Sequence, residues 1–544
     1  MIRKTKLKVA VAGAVLAVAS AFPLSSGFAQ GAAADLLLQG GTVYTGNTAP
    51  FRGDVAIRGD RIVYVGPKAP GIAKKVIDAS ALVVSPGFID PHTHVNEALA
   101  SGDPASRLVL PFLTQGVTTA FIGVDGAGSP DIARTFGDSG AGAGGDEEGF
   151  GQSKRDYGIN FASHVGLGAV RSRVIGPVDR PPSATELEAM KALVGQAMCQ
   201  GAMGLSTGLF YAPQSFAKRD EVVALARVAA AKGGFYDSHL RDESSYTIGL
   251  EAAVGEALAV GRDAGIPVHI AHIKALGVDV QGQASAIIAQ IEAAQKAGQV
   301  VHADQYPWSA SGTGLSAALV PRWAQDGGRG EMLKRFGDAT IMAKLRPEMA
   351  ENLRRRGGAE SLLLTSGPVG AEGKTLAQIS QETGVEPIDA AVAVLKQREA
   401  GVASFNQSED DIAEFMKRPW VVTSSDASAG HPRYYASFAR KYATYVKEKR
   451  VIDLRTFIDR STATTAAMFG LEGRGQLKAG AFADVIAFDP ARFAPRADYT
   501  HATLFSTGMR VVVVNGALAV ENGESTGAAG GRPLARTPKA GSCR

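Results

Sequence analysis

From Ala34 onward, short apolar runs alternate with polar positions and glycine turns. Asp35-Leu36-Leu37-Leu38 leads to Gly40-Gly41 and Thr42-Val43-Tyr44, and Val55–Arg58 is followed by Gly59-Asp60 and Arg61–Gly66. Period-two alternation of this kind predicts half-buried strands, and Gly-Asp between two β-branched runs predicts a hairpin. Gly480–Asp489 and Val511–Gly516 have the same pattern. The two ends, 30–81 and 465–544, are therefore expected to pair into one small β-sandwich domain flanking the middle of the chain.

In that middle, 82–464, the pattern changes to strands alternating with helices. Candidate strands are Leu82–Ile89, Val117–Ile122, Ile159–Val165, Met203–Ser206, Phe235–Ser238, Val268–Ala271, Val300–Ala303 and Val421–Ser424. Between them Val222, Leu225, Ala226 and Ala229 share one helical face, as do Leu250, Val254, Ala257 and Leu258; Ile287, Ile291 and Ala294 follow, stopped by Gly298. Such alternation predicts parallel strands covered by helices. The expected fold class is α/β, a (β/α)8 TIM-like barrel, whose chemistry would sit at the strand C-termini. An open, doubly wound sheet satisfies the same strand count. A charged helical stretch, 329–414, interrupts the spacing before the last strand and reads as an insertion over the barrel mouth or as a separate subdomain.

Length fits this division: 544 residues hold a catalytic barrel and a companion domain. Charged residues make up 20%, aromatics 7%, and there are 65 glycines, the mixture of a globular enzyme with many turns. The first 29 residues stand apart. Arg3, Lys4, Lys6 and Lys8 precede an apolar run, Val9 to Phe22, and small residues at Gly27 and Ala29 fit a cleaved signal peptide. The run is shorter than the roughly 20 residues that span a bilayer, so no stable membrane anchor is expected after cleavage. Because that segment carries four of the basic residues and none of the acidic ones, the net charge of +4 falls to zero without it. Nothing then favours nucleic acid as a partner, and the protein is expected to be exported, periplasmic or secreted. Cys199 and Cys543 are the two cysteines. They support neither a disulfide framework nor a Cys-rich zinc site, so a hydrophobic core is expected to supply the stability.

Histidine is scarce, nine in all, which makes its placement informative. The first barrel strand runs directly into His92-Thr93-His94. Residues two apart on a strand share a face, so both imidazoles can meet one metal ion. His239 ends the fifth strand, His272 the sixth, and Asp426 follows the eighth. In a barrel these ends converge on one mouth, and imidazoles with a carboxylate suit a zinc-like divalent cation.

The chain resembles the amidohydrolase superfamily and, within it, the N-acyl-D-amino-acid deacylase (D-aminoacylase) group. The resemblance rests on Gly87-Phe88-Ile89-Asp90-Pro91-His92-Thr93-His94, Gly201–Leu209, His239-Leu240-Arg241-Asp242-Glu243, His272-Ile273-Lys274, Asp304-Gln305-Tyr306-Pro307, His431-Pro432-Arg433 and Gly480–Asp484. It implies that His92, His94 and Asp426 hold one metal and His239 and His272 another. The group places a cysteine after the second strand; here the stretch is Gly123-Val124-Asp125-Gly126. Asp125 then takes the bridging role, and oxygen in place of sulfur weakens the preference for soft ions. No lysine ends the fourth strand, Gly201 to Tyr211, which disfavours the branch with a carboxylated lysine; Leu167 stands where the group has a histidine.

The implied reaction is hydrolysis of the amide of an N-acyl amino acid, D-configured by resemblance, with Zn2+ or a similar divalent ion as cofactor. Asp426 would act as general base and then general acid. Lys274, Tyr306 and Arg433, with Ser311, match positions that receive the free carboxylate of a small-molecule substrate, a task to which the planar Arg fork is suited. Two other readings remain at this stage: the same metal barrel acting on another C–N bond, or a non-catalytic metal-binding exported protein.

Overall fold

The computed structural model describes residues 33–137 and 156–543; the expected signal peptide, 1–29, lies outside the described residues. Eight parallel strands carry the site: β1 (Phe88–Asp90), β2 (Val117–Ile122), β3 (Asn160–Ser163, running on into Val165–Gly166), β4 (Gly204–Gly208), β5 (Phe235–His239), β6 (Val268–Ile270), β7 (Val301–Gln305) and β8 (Val421–Thr423). They pair in sequence order as two sheets that share the β3 chain, with β1-β2-β3 in one and the continuation of β3 through β8 in the other. A parallel bridge between Thr93 and Ala427 joins the chain just beyond β1 to that beyond β8. The strands thus follow one another round a ring, which an open sheet would not do.

Helices α1 (Ala184–Cys199), α2 (Arg219–Ala231), α3 (Leu250–Ala264) and α4 (Ala284–Lys296) lie outside the ring. Their apolar stripes, including Val194, Val222, Leu225, Val254 and Ile291, join strand residues such as Leu205 and Ile270 in one buried cluster. The faces expected from helical spacing are the faces that are buried.

Inside the ring the period-two rule sets layers. On β5, Phe235, Asp237 and His239 share the inward face. Phe235 joins Ile89, Phe121, Met203 and Phe469 in an apolar plug. Asp237 lies in a buried polar layer with His164, His269 and Asp304, and His239 reaches the mouth.

The predicted strand Leu82–Ile89 is two strands. Val83–Pro86 belongs to another sheet, and Phe88–Asp90 is β1. Gly87 is the joint: a Cβ there would sit 2.1 Å from Thr118 Oγ1, so glycine alone lets the chain pass so close to β2. The other sheet has nine strands drawn from both ends of the chain, with Val485–Phe488 antiparallel to Val83–Pro86 and Ala34–Val43 parallel to them. The two-layer sandwich expected from sequence is thus, in its hydrogen bonding, one continuous sheet. The Gly59-Asp60 hairpin forms, with Arg58 paired to Arg61.

Between β7 and β8 a three-stranded antiparallel sheet (Ala310–Gly314, Gly401–Phe405, Leu362–Leu364) packs with helices, including α5 (Ala339–Arg355), around its own apolar cluster. This segment begins at Ala310, well before Arg329, because the Ser- and Gly-rich strand that opens it has no apolar alternation to announce it.

The expectation for the cysteines is overturned. Cys199, at the end of α1, forms a disulfide with Cys543 across a separation of 344 residues. Sequence spacing could not reveal it, because chain return over that distance is a property of the fold.

Candidate active site

Backbone contacts bring the two ends of the ring together. His94 N–H donates to Ala427 O at 2.9 Å and Asp426 N–H to His92 O at 2.9 Å, so His92, His94 and Asp426 meet although 331 residues lie between His94 and Asp426. Asp90 Oδ1 accepts from the N–H groups of His92 (3.3 Å) and Ser425 (3.1 Å) and ties both segments from below.

Three of the expected ligands, Asp125, His272 and Asp426, have positive φ (53°, 34° and 50°). Such backbone is costly for a side chain with a Cβ and persists only where neighbours over-determine it. The turn with Asp125 is held by Ser206, whose Oγ donates to Gly123 O (2.6 Å) and accepts from Gly126 N–H (3.1 Å), and by Gln214 Nε2, which donates to Asp125 O (2.8 Å). His272 is held by its N–H on Asp304 Oδ1 (3.1 Å), while Asp304 Oδ2 pairs with His269 Nε2 (2.7 Å).

Asp125 stands in the middle. Its Oδ1 lies 3.3 Å from His92 Nε2, 3.5 Å from His239 Nδ1 and 3.5 Å from His272 Nε2; its Oδ2 lies 3.4 Å from His94 Nε2. Asp426 Oδ1 is 3.2 Å from His94 Nε2 and 3.9 Å from His92 Nε2. Donor atoms bound at ~2.1 Å around a tetrahedral ion lie roughly 3.4 Å apart, close to these separations. Three overlapping groups can each hold an ion: His92, His94 and Asp125; His92, His272 and Asp426; Asp125, His239 and His272. His92 Nε2, His239 Nδ1 and Asp125 Oδ1 are buried without hydrogen-bond partners. Buried polar atoms are rarely left so, and cations held by the overlapping groups would satisfy all three, so the residues fit the metal that the sequence implies.

The charges agree. Burial alone would raise the Asp125 carboxyl, but His92 and His239 hold it well below its usual value. Burial likewise opposes ionisation of Asp426, and Arg433, His272 and His94 outweigh it. Both carboxylates are thus held in the ionised form that a divalent cation requires of its oxygen ligands.

A cavity of about 640 Å³ opens above this cluster. His94, Asp125, His239, His272 and Asp426 line it, as do Lys274, Tyr306, Ser311 and Arg433. His92 is fully buried beneath it. Arg433 Nη1 donates to Asp426 Oδ2 (2.6 Å), and its Nε and Nη2 donate to Ser428 Oγ (3.2 and 2.9 Å). Tyr306 OH accepts from Gln407 Nε2 (2.9 Å), and Ser311 Oγ donates to Asn406 Oδ1 (3.3 Å).

Lys274 departs from its expected place. Its ammonium donates to Glu243 Oε1 (2.6 Å) and His272 O (2.8 Å) and lies 2.6 Å from His272 Nδ1, so it is engaged by protein groups behind the His272 ring. Glu243, which sequence reasoning passed over, lies 3.2 Å from His272 Nδ1 and 3.7 Å from His239 Nε2, behind both rings. A carboxylate behind a ligating imidazole fixes its orientation. Its position four residues after His239 was the available signal. Gln214, Asp90 and Asp304 were also missed as supports; Asp90 and Asp304 lie in quoted motifs, but their roles depend on strand-to-strand contacts.

Comparison with known proteins shows the family of the chain. The Amidohydrolase family profile matches residues 159–520. The chain is 33% identical over 521 residues to the D-aminoacylase of Alcaligenes xylosoxydans xylosoxydans, covering 92% of this chain and 98% of that protein. Among solved structures it is similar to a D-aminoacylase studied for its binuclear metal centre (TM-score 0.75, 30% identity, 92% of this chain and 100% of that one). It is also similar to the N-acyl-D-glutamate deacylase of Bordetella bronchiseptica complexed with zinc and a phosphonate inhibitor (TM-score 0.75, 28% identity, 93% and 100% coverage).

Proposed function

The chain belongs to the amidohydrolase family, and on that footing we propose how it works as a metal-dependent hydrolase of N-acyl-D-amino acids built on a TIM barrel with an extra domain. The observation that carries the reading is the position of Asp125, whose two oxygens face four imidazoles with Asp426 alongside. His92, His94 and Asp426 would hold one divalent cation and His239 and His272 another, with Asp125 placed among them as a ligand to either. One or two such ions, of which zinc is the first candidate, supply Lewis acidity that acidifies water and polarises the amide carbonyl.

The protein groups do the rest. Asp426 keeps Oδ2 on Arg433 and turns Oδ1 towards His94 and the cavity. Held ionised, it takes the proton of the attacking water and delivers it to the leaving nitrogen, which departs as a neutral amine. Arg433, Tyr306 and Ser311 converge on the cavity wall and receive the α-carboxylate of the substrate. Lys274 acts at the same wall through Glu243, fixing the His272 ring.

The extra β domain joins both ends of the chain, and the segment before β8 roofs the mouth; the support for the roof is that Ser311–Gly314, Arg356, Thr365 and Glu399 all line the cavity. Export is proposed on the basic, then apolar, start of the chain and on the Cys199–Cys543 disulfide, a bond that persists in oxidising compartments.

The test is a panel of N-acetyl-D- and N-acetyl-L-amino acids given to zinc-loaded protein, with acetate and ammonia both measured. Acetate released from D-substrates is the expected result. Ammonia release, or inertness towards the whole panel, would overturn the reading.

A further inference from the structure

Arg356 follows the last turn of α5 and lines the cavity, yet it is only 1% exposed. Its Nε donates to Tyr246 OH at 2.6 Å, its Nη1 is buried without any hydrogen-bond partner, and no carboxylate pairs with it among the described residues. Arg322 lies nearby, its guanidinium 3.8 Å from the centre of the Phe210 ring and 6.0 Å from that of Tyr246. Its acceptors are the carbonyls of Ala317 (3.1 Å) and Val320 (3.4 Å), and its Nη2 has none. Burial first, and then the charge of Arg356, lower Arg322 to about 10, which still leaves it charged near neutral pH.

Three other buried arginines among the described residues contrast with Arg356, whereas Arg107 also lacks a carboxylate but is met by three backbone carbonyls. Arg171 meets Glu221 and Arg433 meets Asp426, each at 2.6 Å, and Arg474 meets Asp484. The acidic groups of the cavity wall are already engaged: Glu243 by Lys274 at 2.6 Å, and Glu399 by Arg329 at 3.8 Å. A buried, unpaired charge is costly and persists where a partner arrives with the ligand. The group that matches a guanidinium with free N–H donors is a carboxylate.

We propose that Arg356 receives a second carboxylate of the substrate, distinct from the α-carboxylate, so that the preferred substrates are dianionic N-acyl-D-amino acids. This rests on the deacylase reading above. The second carboxylate belongs either to an acidic side chain or to a dicarboxylic acyl group. In the first case the enzyme selects acidic D-amino acids; in the second it selects acyl chains such as succinyl.

The experiment measures kcat/KM of the zinc-loaded enzyme for matched pairs: N-acetyl-D-glutamate against N-acetyl-D-glutamine, and N-succinyl-D-leucine against N-acetyl-D-leucine. A preference for the dianion of at least about 30-fold in one pair is expected, and the pair that has it identifies the source. In Arg356→Met that preference should collapse, and in Arg356→Lys it should be partly kept. A residue that only braced the fold would lower both members of a pair together. Wild-type protein that treats both pairs alike, or an Arg356→Lys that keeps the fold and the full preference when Arg356→Met does not fold, overturns the proposal while leaving the deacylase reading intact. If no member of the panel is hydrolysed, the reading itself falls and the proposal with it.

Discussion

Arg433 donates from Nη1 to Oδ2 of Asp426 at 2.6 Å, and both side chains are buried. One residue thus touches the proposed base and faces the proposed carboxylate subsite. A pure binding residue changes KM when truncated, whereas one that also positions the base changes kcat. Arg433→Met is therefore expected to raise KM for carboxylate substrates and to lower kcat at least about tenfold. Steady-state kinetics decide it: a raised KM with unchanged kcat would remove Arg433 from any role towards Asp426.

Asp426→Asn keeps the size of the side chain and its contact with Arg433 but cannot accept a proton. General bases contribute on the order of 10²–10⁴ in rate, so turnover should fall about 10³-fold or more with the circular dichroism spectrum unchanged. A variant that turns over at the wild-type rate would sink the assignment.

Asp125 tests the bridge. Its oxygens face His92, His239 and His272 on one side and His94 on the other, so Asp125→Ala should cost the protein about one equivalent of bound metal. Asp125→Cys should instead keep the metal but shift competition between zinc and manganese towards zinc, because a thiolate is the softer ligand. Mass spectrometry after equilibration with both ions reads the outcome directly; identical selectivity in wild type and Asp125→Cys would show that the bridge does not set metal preference.

The site was legible in sequence to the extent that strand ends converge. His239 closes a strand and His92, His94, His272 and Asp426 lie within four residues beyond the end of one, and the (β/α)8 order brings those ends together. Their supports were not legible. Asp304 steadies His272 across a strand pair, Ser206 and Gln214 steady Asp125 across the second and fourth strands, and Glu243 sits in a loop, none with a periodicity of its own. Gly87 misled for a related reason: a continuous apolar run does not record that its two halves pair with different sheets. The free valences of Arg356 likewise exist only once α5 and the barrel are in contact.

His164 predicts the acid limb of stability. It is fully buried against Phe121 and Phe235, with both ring nitrogens unpartnered. Burial, then the neighbouring His269 and His92, lower it from 6.5 to about 3. Between those values the unfolded chain binds a proton that the folded protein refuses, so this group's contribution falls as pH falls, by up to about 1.4 kcal/mol per pH unit. His164→Leu should therefore flatten the loss of stability between pH 6.5 and 4. Urea midpoints in that window check it; parallel slopes in variant and wild type would mean that His164 is not held neutral.

The Cys199–Cys543 bond supports a prediction about stability without activity. Before Cys543 the chain runs as a strap beneath the ring: Gly531 N–H donates to Tyr157 O (2.7 Å), Leu534 N–H to Phe161 O (2.8 Å), Arg536 N–H to Gly201 O (2.9 Å) and Lys539 N–H to Lys232 O (3.1 Å). Gly201 and Lys232 precede β4 and β5, so the strap crosses the strand N-termini, at the end of the ring opposite the metal cluster. Closing a loop of 344 residues restricts the unfolded chain far more than the folded one. Removing such a bond costs about 2–5 kcal/mol, and the hydrogen bonds along the strap place this case near the lower end, because they keep its last residues docked after reduction. The double variant Cys199→Ser, Cys543→Ser should unfold at lower urea, as should wild type with reductant, and both should retain wild-type kcat/KM. Two free thiols in the native, non-reduced protein would show that the bond does not form. A loss of activity without a loss of stability would mean that the strap acts on the mouth from the far end of the barrel, which the rigid, apolar plug around Phe235 and Phe469 argues against.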